Sequence, residues 1–138
     1  LNGRSIAALA GVHPDLVRVV LRAAADGARF IVTEGLRSYE RQTMLVAAGK
    51  SRTLNSRHLH GLAVDLAVQT IDGGVSWNRD DYKQLAVIIA GVAHELAIPV
   101  VWGGSWVSFW DGCHWELDRN YFPNPVIDLT STEKEGVA

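Results

Sequence analysis

Cysteine is nearly absent from this sequence. Cys113 is the only one in 138 residues, so no disulfide forms within the chain and a disulfide-stapled secreted scaffold is excluded. A reducing site of synthesis is compatible with that. Basic excess is absent too. With 13 Lys and Arg against 15 Asp and Glu, the formal net charge is -2. That leaves no positive surplus to neutralise nucleic-acid phosphates or to dwell on an anionic membrane, so neither is expected as a partner. No stretch approaches the roughly 20 apolar residues of a membrane-spanning helix. The N-terminus lacks the basic, apolar and small-residue regions of a signal peptide, so synthesis in the cytoplasm is expected. Internal repeats and low-complexity blocks are also lacking.

What remains is an ordinary globular composition, 48% apolar and 20% charged. The length suits one domain with its own core. Leu16, Val17, Val20, Leu21 and Ala24 recur at helical spacing after Pro14, which predicts a helix over 14–26 stopped by Gly27. Residues 28–33 read as a short strand. Ser38 caps a predicted helix over 39–48, ended by Gly49. Asn78 caps the longest one, over 79–96, with Tyr82, Leu85, Ala86, Ile89, Val92, Ala93 and Leu96 on one face. Val100, Val101 and Trp102 make a strand before the Gly103-Gly104 turn, and another strand carries His114. Short apolar strands alternating with three capped helices predict an α+β fold, with helices packed on a small antiparallel sheet. One domain is expected over 1–125, and 126–138, where periodicity stops, as a tail.

The chemistry is concentrated in Ser56-Arg57-His58-Leu59-His60-Gly61-Leu62-Ala63-Val64-Asp65. Leu62 to Val68 is an apolar run broken only by Asp65, which reads as a buried strand. A carboxylate there is costly unless a cation or hydrogen-bond donors compensate it. A metal shared by His58 and Asp65 would do so. Asp111-Gly112-Cys113-His114-Trp115-Glu116 supplies a second imidazole flanked by acids. Two histidines and one carboxylate with an open fourth position suit catalytic zinc. His60 is a rival ligand, since in an extended segment it points the same way as His58. Asp111 and Glu116 both stand near His114 as candidate general bases. Glu116 also shares its strand-face parity and is placed to support a ligand by hydrogen bonding. Cys113, with opposite parity, is expected to face the core unligated. His94, on the long helix, is expected to be structural or exposed. Most of the five tryptophans are expected in the core, with Trp102 and Trp106 walling a groove.

Ser-x-His-x-x-Gly-x-Ala-x-Asp followed by Asp-x-x-His resembles the zinc peptidases of the D-alanyl-D-alanine carboxypeptidase family. Within it, Glu34-Gly35-Leu36-Arg37-Ser38-Tyr39-Glu40-Arg41-Gln42 and Trp102-Gly103-Gly104-Ser105-Trp106 look like the bacteriophage L-alanyl-D-glutamate peptidase endolysins. The resemblance spans about Ser5 to Phe122. It implies a zinc endopeptidase cutting the peptidoglycan stem peptide, with a fold like that of hedgehog and D-alanyl-D-alanine peptidases. It selects His58 over His60, so the implied ligands are His58, Asp65 and His114. Asp111 becomes the acid–base group, and Arg37 the residue that binds substrate and stabilises the oxyanion. Gln42, Ser56, Trp102 and Trp106 are implied substrate contacts, and Glu34 and Gln42 are implied either to orient Arg37 or to touch the stem peptide. The basic stretch from Lys50 to Arg57 would meet the free carboxylate of D-glutamate, or is simply a solvated loop. The resemblance implies a monomer made in the host cytoplasm and released to the wall, a release for which a phage holin would serve. A D-alanyl-D-alanine carboxypeptidase or dipeptidase uses the same metal chemistry. A non-catalytic zinc-stabilised wall-binding module, as hedgehog illustrates, needs the metal triad but not Asp111 or Arg37.

Overall fold

A computed structural model describes residues 1–125; the tail expected over 126–138 lies outside the described residues. Four helices and four strands follow in the order α1 (Gly3–Ala8), α2 (Pro14–Ala25), β1 (Phe30–Glu34), α3 (Tyr39–Ala47), β2 (Ala63–Val68), α4 (Arg79–Glu95), β3 (Val100–Trp102) and β4 (His114–Leu117). Short 3₁₀ turns cover Arg57–His60 and Gly103–Ser105. The sheet order is β1-β2-β4-β3, with every neighbouring pair antiparallel, so the fold is α+β as expected.

The helices form where capping and periodicity agree. In α2, Pro14 opens the first turn, the His13 ring accepts from Asp15 N at 3.0 Å, and Leu16, Val19, Val20 and Ala23 make the buried stripe. In α4, Asn78 caps Asp80 N at 2.9 Å and acids occupy the positive N-terminal end. Helix α1 carries too little apolar periodicity to be legible in the sequence. It is fixed by the Asn2 cap and by Ser5, whose hydroxyl accepts from Val32 N at 3.0 Å.

Strand pleating divides the sheet into two faces. Phe30, Val32, Leu62, Val64, Leu66, Trp115 and Leu117 point into one core with the apolar stripes of α2 and α4. Each large aliphatic or aromatic side chain buried there contributes about 1.5–3 kcal/mol. Asp65, His114 and Glu116 have the opposite parity and occupy the other face. The small residues Ala63 and Ala67 flank Asp65 on that face and leave room beside it.

One irregularity matters for the site. Phe30 and Val32 face the core, so an unbroken β1 would send Glu34 inward as well. A register shift between Val32 and Glu34 places Glu34 opposite Asp65 instead. This bulge turns the carboxylate onto the polar face.

Candidate metal centre and cleft

Asp65 and His114 are direct cross-strand partners on β2 and β4, which brings their side chains together without any loop. His58 reaches them from the 3₁₀ turn. That turn starts at Ser56, whose hydroxyl accepts from His58 N at 3.2 Å, and stops at Gly61 with φ +67°. Gly61 is required twice over, because a Cβ there would lie 2.3 Å from Gly11 O. The backbone of His58 is further tied by Arg37 N, which donates to its carbonyl at 3.0 Å.

The donor atoms of His58, Asp65 and His114 all lie within 4.8 Å of one another. Asp65 Oδ1 is 3.2 Å from His58 Nε2 and 3.4 Å from His114 Nδ1. Each imidazole is oriented by its other nitrogen. His58 Nδ1 meets the Gly35 carbonyl at 2.9 Å, and His114 Nε2 meets Glu116 Oε1 at 3.0 Å. Without a metal the inward nitrogens meet Asp65; in neutral imidazoles with the proton kept on the outer nitrogens, they would instead turn lone pairs toward one point. Two imidazole nitrogens and a carboxylate oxygen, so oriented, fit a divalent metal of the borderline class that includes zinc.

The electrostatics follow from this packing. Burial raises the Asp65 carboxyl, but hydrogen bonds from His114 and His58 outweigh it and hold the group well below its ordinary range. Burial lowers His114, but Asp65 and Glu116 win and push it up to about 9. Behind His114 stands a charged buttress. Glu116 Oε2 is 3.2 Å from Arg57 Nε and 3.1 Å from Arg119 Nε. Burial raises Glu116, while His114 and Arg119 bring it below its ordinary value. Arg57, only 2% exposed, also donates to Leu117 O at 2.6 Å and Asn124 Oδ1 at 2.8 Å. The sequence places Arg57 in a basic cleft rim or a solvated loop and singles out no role for Arg119, whereas the fold buries Arg57 against Glu116. A buried arginine beside a ligand looks like one more basic residue until the fold brings Glu116 to it.

Asp111 and Arg37 line the same cleft as the three donors, a concavity of about 620 Å³. Asp111 sits in the turn before β4, its N–H donating to Gly103 O at 3.1 Å and its carbonyl accepting from His114 N at 3.1 Å. Gly103 has to be glycine here, since a Cβ would lie 2.3 Å from Asp111 O. Burial and the negative charge of Asp65 raise the Asp111 carboxyl, against the pull of His114, His58 and Arg37. A carboxyl held above its ordinary value beside three candidate metal donors is suited to taking up and returning a proton. Arg37 is clamped by Glu34 Oε1 at 2.6 Å and Gln42 Oε1 at 2.8 Å, and its Nη2 lies 3.6 Å from Asp65 Oδ2.

Several expected placements change. Gln42 is fully enclosed, and its amide is spent on Arg37, Ser51 and Thr53, so it stands behind Arg37 and away from the cleft lining. Trp102 stacks on Trp115 at 6.0 Å and donates its indole N–H to Gly112 O at 2.8 Å, so it supports the scaffold. Trp106 does wall the cleft, its ring 5.0 Å from that of His114. Ser56 lines it too. Among the five tryptophans only Trp115 is fully buried, and Trp77 is 76% exposed. His60 is turned away from His58 by the 3₁₀ geometry and faces Asn55 at 3.4 Å, because residues two apart do not share a side of such a turn. Cys113 lies outside the clustered donors; it is half-buried at the cleft edge rather than enclosed in the core, because it precedes the strand. His94 is exposed on α4.

The sequence profile of the phage L-alanyl-D-glutamate peptidase family matches residues 1–130. The peptidoglycan L-alanyl-D-glutamate endopeptidase CwlK of Bacillus subtilis (strain 168) is 30% identical, over 71% of this chain and 66% of its own length. The L-alanyl-D-glutamate peptidase of Listeria phage A118 is 32% identical, over 70% of this chain and 32% of its own length. The chain thus spans just under two thirds of the first relative and about one third of the second. The crystal structure of the L-Ala D-Glu endopeptidase ChiX of Serratia marcescens superposes with a TM-score of 0.83 at 47% identity, covering 89% of this chain and 92% of that one.

Proposed function

The chain belongs to the phage L-alanyl-D-glutamate peptidase family, and from that membership we propose that it hydrolyses the L-alanyl–D-glutamate bond of the peptidoglycan stem peptide with a zinc ion held by His58, Asp65 and His114. The observation that carries this reading is the convergence of that donor set with Asp111 and Arg37 in one cleft. Binding a wall fragment needs neither a general base nor a clamped arginine beside the metal ligands.

A zinc ion held by His58, Asp65 and His114 would supply Lewis acidity toward the water and the scissile carbonyl. The remaining steps belong to the chain. Asp111, with its raised affinity for a proton, takes one from the attacking water and passes it to the leaving amine of D-glutamate. Arg37, held rigid by Glu34 and Gln42, presents its guanidinium to the oxyanion that forms on the L-alanyl carbonyl. Trp106 and Ser56 border the bound peptide. Glu116 keeps a proton on His114 Nε2, so that Nδ1 stays available to the metal.

No helix among the described residues is long and apolar enough to cross a membrane. We place the site of action at the cell wall, where the stem peptide is. Mass analysis of purified muropeptides after digestion tests the activity. Free L-alanyl muramyl ends and stems beginning with D-glutamate are expected. Release of terminal D-alanine alone would instead make the protein a carboxypeptidase.

A further inference from the structure

Six cations line the cleft, and four of them face a carboxylate: Arg37 and Arg41 meet Glu34, while Arg57 and Arg119 meet Glu116. Lys50 and Arg52 make no ion pair with the described residues, though both line the cleft and both are exposed. Arg52 is nevertheless oriented. Its guanidinium lies 4.8 Å over the ring of Phe109, which comes from the loop across the cleft. Stacking of this kind fixes the plane of the fork and leaves its N–H groups free to donate.

The loop beneath these cations is tied to the catalytic centre by one buried side chain. Gln42 Nε2 donates to Ser51 Oγ at 2.9 Å and to Thr53 O at 2.6 Å, while its Oε1 accepts from Arg37 Nη1 at 2.8 Å. A single amide therefore sets the distance between the proposed oxyanion-binding arginine and the two uncompensated charges. We propose that Lys50 and Arg52 form a carboxylate subsite, which takes a free carboxylate of the stem peptide beyond the bond that is cut. This rests on the reading of the cleft as a stem-peptide site. Two carboxylates of such a peptide have the required chemistry: the α-carboxylate of D-glutamate, and the second carboxylate of diaminopimelate where that residue follows.

The test uses four soluble muropeptides and two proteins, the zinc-replete parent and K50Q/R52Q. The stems are L-Ala-D-Glu-diaminopimelate, the same with glutamate amidated, the same with diaminopimelate amidated, and one with lysine in the third place. In the parent, neutralising the bound carboxylate should lower kcat/KM about three- to tenfold, mostly through KM, and less at high salt. In K50Q/R52Q that penalty should shrink to under about twofold, since the cations that read the charge are gone. A penalty on glutamate amidation alone assigns the α-carboxylate. A penalty on diaminopimelate amidation and on the lysine stem assigns the second one, and either result supports the subsite. The charge-retaining K50R/R52K variant should keep the preference, and thermal unfolding checks that each variant is folded. Equal cleavage of all four stems by the parent overturns the subsite and leaves the peptidase standing. A penalty unchanged in K50Q/R52Q overturns it as well, by moving the carboxylate to another cation. Failure of the parent to cut any stem overturns both readings together.

Discussion

The two faces of the sheet differ by one pleat and do opposite things. On one face Leu62, Val64, Leu66, Trp115 and Leu117 close against α2 and α4; on the other, Asp65, His114 and Glu116 carry charge into a cleft. Neighbouring residues of the same strand, such as Leu66 and Asp65, thus serve stability and chemistry separately. The site is rigid because Asp65 and His114 stand on strands already fixed by the core behind them, and His58 on a 3₁₀ turn tied down by Gly61 and Arg37 N. Substitutions should therefore sort by parity.

The largest effect is expected at Asp111, which holds no metal and supports no core. Asp111→Asn should cut muropeptide turnover by about 10²–10⁴-fold, with zinc content and thermal unfolding unchanged. A fully active Asp111→Asn beside a dead, zinc-replete Glu116→Gln would exchange the two roles. Leu66→Ala, one pleat from Asp65, should do the reverse. It should cost about 2–5 kcal/mol in denaturant unfolding, while turnover of the remaining folded protein stays near the parent's. Loss of turnover in folded Leu66→Ala would show that the faces are coupled.

Glu116→Gln tests the boundary between the faces. The amide keeps a hydrogen-bonding group at His114 but removes the charge shared with Arg57 and Arg119. Zinc affinity should fall about 10- to 100-fold in competition with a chelator. An unchanged affinity would make the buttress purely structural.

The smallest effect concerns pH in metal-free protein. The His114–Asp65 pair contributes most where His114 is charged in both folded and unfolded chains, below the ordinary imidazole value of 6.5. That contribution is lost as pH rises through about 9, the folded value. At the acid end it is lost as pH falls through the depressed value of Asp65, below the ordinary 3.8. Melting temperatures of chelator-treated protein should decline between pH 6.5 and 9. A flat profile across that window would deny the pair its role.

Much of this molecule was legible in the sequence because it rests on local rules. Capped, periodic helices such as α4 announce themselves, and a lone aspartate in an apolar strand signals a compensating partner. What was not legible depends on distant contacts. Whether His60 shares a side with His58 is one such case: the 3₁₀ turn that parts them closes on Gly61, packed against Gly11 fifty residues away in sequence. Glu34 has core parity in the chain, and only the bulge turns it to Arg37. Trp102 and Trp106 flank the same glycines, yet one stacks on Trp115 and the other covers His114, a choice made by the turn at Gly103–Ser105.

On the proposed function, the open face of the sheet is a metal-dependent hydrolytic centre built on His58, Asp65 and His114. The most direct measurement is zinc titration into chelator-stripped protein, with muropeptide cleavage followed in the same samples. The expected result is that cleavage returns in proportion to zinc and saturates at one equivalent, while His58→Ala and His114→Ala neither bind that equivalent nor recover. Full cleavage by stripped protein, or stoichiometric zinc in either variant, would contradict it.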